Sequence, residues 1–194
     1  MGRSNADLVS EFSHVLTGIG GQPYLAKNKE ETTKILRGII ERVGAREVVI
    51  AELPNQVGDV VKAALGDFPH SITEDLAKDK VLEVLARADI GITWADFAIA
   101  KRGALIEVGY DDSIRLTSSL PFTHIALISS GKILDDIEEA MAKVGAIVRS
   151  SSPKGRPVVS FIAGPSKTGD IEMKLLYGVH GPNELHVLIL DWAQ

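Results

Sequence analysis

Three stretches of the chain carry the residue types that bind small anions or move protons, and each adjoins an apolar, β-prone run. The first is Gly164-Pro-Ser-Lys-Thr-Gly-Asp170-Ile-Glu172. A strand running into a Gly-Pro-Ser loop presents backbone N–H groups beside a hydroxyl and an ammonium, which suits a carboxylate or a phosphate. Gly164, Ser166, Lys167 and Thr168 are therefore candidate anion contacts, and Asp170 and Glu172 are candidate proton acceptors. The same residues also read as Ser166 capping a helix with two acids in its first turn, an arrangement that needs no ligand. The glycine frame of a Walker A phosphate loop is missing.

The second stretch is Gly178-Val-His-Gly-Pro-Asn-Glu-Leu-His186. Its two histidines are six residues apart among Gly and Pro, so they belong to a turn and not to one helical face; the zinc-protease spacing is absent and no metal site is expected. His180 suits a general acid/base or a donor to a bound anion, with Gly181 beside it, and reads equally as a tie to a nearby carbonyl. His186 reads more simply as packing at the head of the last strand. The third stretch, Gly91-Ile-Thr-Trp-Ala-Asp96, leads to Ala100-Lys-Arg-Gly-Ala104. Thr93 and Asp96 are added as ligand contacts, while Lys101 and Arg102 read as solvated charges on a turn.

These segments need a scaffold. The chain has 194 residues, enough for a proper core in one domain spanning 1–194. Apolar residues make up 45% and charged residues 24%, an ordinary globular balance. Periodicity predicts helices over 6–17 (within an N-terminal unit, 1–20), from Asn28 to Gly44, over 56–66, over 79–87 with Val81, Leu82, Val84 and Leu85 inward, and over 133–144. Short apolar runs at 23–26, 47–51, 124–128, 158–162 and 185–190 read as strands, and 150–157 as a flexible loop. The closely spaced runs 90–94, 97–100 and 104–108 suggest a local antiparallel arrangement. Strands alternating with helices imply an α/β fold with a mainly parallel sheet flanked by helices.

With 21 basic against 26 acidic residues the net charge is −5, and no cationic run marks a nucleic-acid footprint. The chain contains no cysteine, so it forms no disulfide, thiolate nucleophile or Cys-ligated iron–sulfur cluster. No apolar stretch is long enough to span a bilayer, and the polar N-terminus with Asp7 and Glu11 does not read as a secretory signal; a cytoplasmic location is expected.

The paired segments 164–172 and 178–186 resemble the C-terminal signature of the LUD-domain, or lactate-utilisation protein C, family. That pattern reads Gly-Pro-Ser-Arg/Lys-Thr-Ala-Asp-Ile-Glu and then Gly-Val-His-Gly-Pro-x-Glu-Leu-His, and only Gly169 departs from it. Residues 88–93 and 119–125 are similar to the family's middle section, so the resemblance covers roughly 80–192. One departure stands out: Ala100-Lys-Arg-Gly-Ala104 replaces the usual Ala-Glu-Thr-Gly-Ser/Thr, which exchanges an acid and two hydroxyls for two cations and a methyl group.

The resemblance implies a fold similar to the NagB/RpiA/CoA-transferase superfamily. It also implies a role beside iron–sulfur partner proteins in oxidising L-lactate to pyruvate, with no cofactor on this chain. The leading expectation is a non-redox subunit or accessory protein holding a small anionic metabolite, with Ser166, Lys167 and Thr168 as clamp and His180 with Asp170 or Glu172 handling protons. The alternative is a stand-alone enzyme acting on a phosphorylated sugar or folate-type substrate; a scaffold with a decayed pocket is the third. A homo-oligomer is compatible with each. Fold kinship by itself establishes no reaction.

Overall fold

Buried β-branched runs supply the central layer. In the computed structural model, which describes residues 3–150, 157–171, 174–177 and 181–193, six strands form one fully parallel sheet. They are β1 (Gln22–Ala26), β2 (Val48–Ile50), β3 (His70–Ile72), β4 (Ile90–Trp94), β7 (Thr123–Ser129) and β12 (Glu184–Leu190), in the spatial order β1-β12-β7-β4-β2-β3. The central strands β7 and β4 are almost wholly buried, as a parallel sheet covered on both faces requires.

One face is covered by α2 (Lys29–Val43) and α3 (Asn55–Leu65), whose Leu36, Ile39, Ile40, Val57, Val61 and Leu65 pack on Ile50, Ile92, Ile125, Leu127 and Leu188. Local rules set α2's ends: Asn28 accepts from the Glu31 N–H at 2.8 Å, and Gly44 closes the helix in the left-handed region. The opposite face meets α1 (Asn5–Gly18) and a second, smaller sheet, through Phe12, Leu16, Ala98, Leu105, Ala126, Ile128 and Val187. The small sheet has the order β8-β5-β6-β9, built from β5 (Phe97–Ile99), β6 (Ala104–Gly109), β8 (Ile133–Leu134) and β9 (Val158–Ile162). Its far face is covered by α6 (Ile137–Ser150), and α4 (Lys78–Leu85) and α5 (Ser113–Ser119) complete the layer against the large sheet. A hairpin of β10 (Lys167–Ile171) and β11 (Lys174–Tyr177) follows β9.

The expected α/β class with a mainly parallel, helix-covered sheet is the observed one. Several elements differ from expectation. Ile90–Trp94 joins the large parallel sheet, so of these three runs only Phe97–Ile99 and Ala104–Gly109 pair antiparallel with each other. The helix expected from Ile133 begins at Ile137, because Ile133 and Leu134 pair with Ala98 and Ile99. Leu82 is exposed, and α4 turns Val84 and Leu85 inward. Lys167–Ile171 is a strand, so Ser166 caps no helix. Of the expected loop 150–157, residues 151–156 lie outside the described residues.

Candidate functional site

The two C-terminal motifs meet at the N-terminal edge of the large sheet. The Ser166 N–H donates to the Pro182 carbonyl at 2.8 Å, and the Asn183 N–H donates to the Phe122 carbonyl at 2.8 Å, just before β7. Gly164 has φ 79°, a conformation other side chains resist, and packs against the Ile19 carbonyl at the end of α1. A Cβ on Gly181 would stand 3.3 Å from Ser166 Cβ, so the two motifs touch directly. Ser166's amide is thus engaged by protein, leaving its hydroxyl as the group with which it can meet a ligand. Lys167, Thr168 and Asp170 lie on β10 immediately after this junction. Glu172 and His180 lie outside the described residues.

Thr93 and Asp96 are not part of this junction. Asp96 follows the C-terminal end of β4, a strand of five residues, or about 16 Å of extended chain from the opposite edge. It accepts the Val108 N–H at 2.8 Å; burial raises its pKa, the Val108 N–H and Lys132 draw it back, and Glu52 pushes it up. Nearby, Pro54, Asn55, Gln56, Trp94 and Trp192 line an open crevice of about 440 Å³. Lys101 is exposed and pairs with Asp135 at 2.7 Å, in keeping with the solvated reading.

Thr93 is fully buried and contacts no surface. Strand parity explains why. In β6, Ile106 and Val108 point outward under α6, so Leu105 and Glu107 point inward to the large sheet. In β4 and β7, Ile92, Ile125 and Leu127 face α2 and α3, so Thr93 and His124 face β6. The Thr93 hydroxyl therefore hydrogen-bonds Glu107 Oε1 and lies 2.7 Å from His124 Nε2. Burial pushes the Glu107 carboxyl up to about 7, although hydroxyls of Thr93 and Ser118 oppose the shift. Burial, with His186 adding repulsion, pushes His124 down to about 3, so it is neutral. Glu107 Oε2 and His124 Nδ1 have no hydrogen-bond partner among the described residues. Ser118, the hydroxyl on α5 near that carboxyl, donates to the Arg115 carbonyl at 3.1 Å. Sequence reading passes over Glu107 and His124 as ordinary strand members; the available signal is a carboxylate and an imidazole inside otherwise apolar runs.

His186, at the head of β12, is also buried. Its Nδ1 lies 3.3 Å from the Tyr24 hydroxyl and its Nε2 3.1 Å from Glu184. Burial lowers its pKa and Glu184 partly restores it.

Comparison with known proteins places this geometry in context. The model of the LUD domain family matches residues 9–190. A protein of Exiguobacterium sp. named Lactate utilization protein C is 38% identical, the match covering 98% of this chain and 81% of that one. A Bacillus thuringiensis protein named Lactate utilization protein B is 25% identical across 93% of this chain but only 47% of its own length. The crystal structure of a DUF162 family protein from Deinococcus radiodurans superposes with a TM-score of 0.65 at 22% identity, covering 97% of this chain and 99% of that one, which shows a shared fold. With the family model matching from the first helix through the last strand, the chain belongs to the LUD domain family.

Proposed function

We propose that the chain serves lactate utilisation as a component that carries no electrons itself, gripping a small carboxylate where its two signature motifs meet. The observation that carries this reading is the Ser166–Pro182 hydrogen bond, which brings the hydroxyl-bearing loop and the Gly-Pro turn together. The Ser166 hydroxyl, Lys167 and Thr168 would hold the carboxylate, and His180 with Asp170 or Glu172 would exchange protons with the ligand's hydroxyl. The relatives' names support the pathway, and a kinship that extends to a protein named Lactate utilization protein B supports a multi-component system. Because the chain has no cysteine, Cys-ligated iron–sulfur clusters would reside on partner subunits.

Thermal-shift measurements with L-lactate, pyruvate and ribose 5-phosphate test this reading. A carboxylate at a hundred times its dissociation constant is expected to add about 2.7 kcal/mol of stability, and Ser166→Ala to abolish most of the gain. Stabilisation by ribose 5-phosphate alone, or an equal shift in Ser166→Ala, overturns the carboxylate assignment. Absence of any complex with cysteine-rich partner proteins overturns the subunit role.

A further inference from the structure

Glu107 reaches from the small sheet into the large one, where Thr93 stands between it and His124. A threonine has one hydroxyl proton, so it can donate to only one of these two partners. When Glu107 is neutral, its O–H donates to Thr93 and Thr93 donates to His124 Nε2, which requires the neutral imidazole to carry its hydrogen on Nδ1. When Glu107 is ionised it can only accept, so Thr93 donates to the carboxylate and His124 donates from Nε2.

We propose that Thr93 converts the charge state of Glu107 into the tautomer of His124, so that the three side chains form a buried proton wire ending on Nδ1. The protons balance. On ionisation, the Glu107 proton passes to Thr93, the Thr93 proton passes to Nε2, and the Nδ1 proton is released to solvent water. The middle of the wire is saturated, whereas Nδ1 and Glu107 Oε2 at its ends have no partner among the described residues.

The surroundings isolate the wire. The charged groups acting on it are Asp96, beyond the end of β4, which disfavours a second negative charge, and His186 on β12, which disfavours a positive His124. The strands beside β6, Phe97–Ile99 and Val158–Ile162, contain no titratable side chain. On α5, Ser118 contributes a hydroxyl, and Arg115 is exposed and paired with Asp112.

Both ends lie on or beside strands that connect to the signature motifs. His124 is two residues after Phe122, whose carbonyl holds the Asn183 N–H. Glu107 is in register with Ser160 on β9, the strand that runs into Gly164-Pro-Ser166. Glu107 and His124 are positioning residues in this scheme, and the wire is independent of which ligand the motifs take.

Long-range proton–nitrogen NMR of the histidine rings in the full chain, from about pH 5.5 to about pH 8.5, tests it directly. In the wild type, His124 is expected to change from the Nδ1–H to the Nε2–H tautomer with a midpoint near the Glu107 pKa of about 7. Glu107→Gln is expected to hold one tautomer throughout. Thr93→Ser keeps the swap and Thr93→Val abolishes it, and this pair carries the test if Glu107→Gln does not fold. A wild-type His124 that keeps one tautomer across the range overturns the proposal. So does a swap that survives in Glu107→Gln or in Thr93→Val.

Discussion

Gly91→Ala is expected to destabilise the protein by about 2–4 kcal/mol, visible as a lower urea midpoint with an unchanged slope. An alanine Cβ there would stand 2.0 Å from the Thr117 carbonyl oxygen and 3.0 Å from Pro121 Cγ. The first obstacle is backbone, so relief requires α5 to lift off β4, which withdraws Thr117 and Ser118 from their buried positions. Gly38→Ala serves as the control. Gly38 lies inside α2, where an alanine Cβ would meet nothing within 4 Å, and the substitution is expected to add up to about 1 kcal/mol. Equal stabilities for Gly91→Ala and wild type would mean that α5 does not rest on β4 at this point.

Stability is expected to hold level from about pH 4.5 to 6.5 and to fall by less than about 1 kcal/mol as pH rises to 7, and Glu107→Gln to replace that profile with a rise up to about pH 6.5. The folded-state pKa of Glu107 is raised from 4.5 to about 7, so the folded protein holds a proton that the unfolded chain releases. That group's stabilisation is therefore complete below about pH 4.5 and lost as pH rises to 7, a change of roughly 3 kcal/mol. His124 has the opposite sign: its pKa falls from 6.5 to about 3, so stability is lost as pH drops through that window. Between about pH 4.5 and 6.5 the two slopes cancel, because folding moves a proton from the imidazole to the carboxyl without net uptake. The pair thus contributes a plateau that declines on both sides. Glu107→Gln keeps only the acid-side decline and gains roughly 3 kcal/mol on the wild type between about pH 4.5 and 8. Urea midpoints measured across this range decide the matter; parallel curves for the two proteins would show Glu107 to be ionised in the fold.

What is legible in the sequence follows from the range of the forces involved. The ends of α2 depend on Asn28 and Gly44, which act within one helical turn, and both are readable. The last strand is readable because six consecutive residues, Leu185 to Leu190, are buried on both faces. His70–Ile72 escapes such a reading: it is a three-residue, half-buried edge strand whose only partner among the described residues, Val48–Ile50, lies some twenty residues away in sequence. Ile133 and Leu134 read as helical because their pairing with Ala98 and Ile99 is likewise non-local. At the candidate site, resemblance identifies the two motifs, and only their contact through Ser166 and Pro182 shows that they meet. Thr93 suggests itself by its hydroxyl, yet the alternation along β4 turns that hydroxyl into the space between sheets. Glu107 and His124 stand out in the sequence only as polar members of apolar runs, and their meeting through Thr93 becomes visible once β6 of the small sheet faces β4 and β7 of the large one.

The position of β12 has a consequence for how the chain is made. This strand, drawn from residues 184–190, separates β1 from β7 and pairs with both along its length. At synthesis rates of roughly 5–20 residues per second, β1 waits about 8–30 s after leaving the ribosome before its partner exists. Until β12 is made, the inner edge of β1 and, once synthesised, that of β7 are open to other nascent chains. A ribosome that stalls after β11 would therefore release a polypeptide with its sheet split in two, a substrate for chaperones or proteases and not a slightly shortened protein.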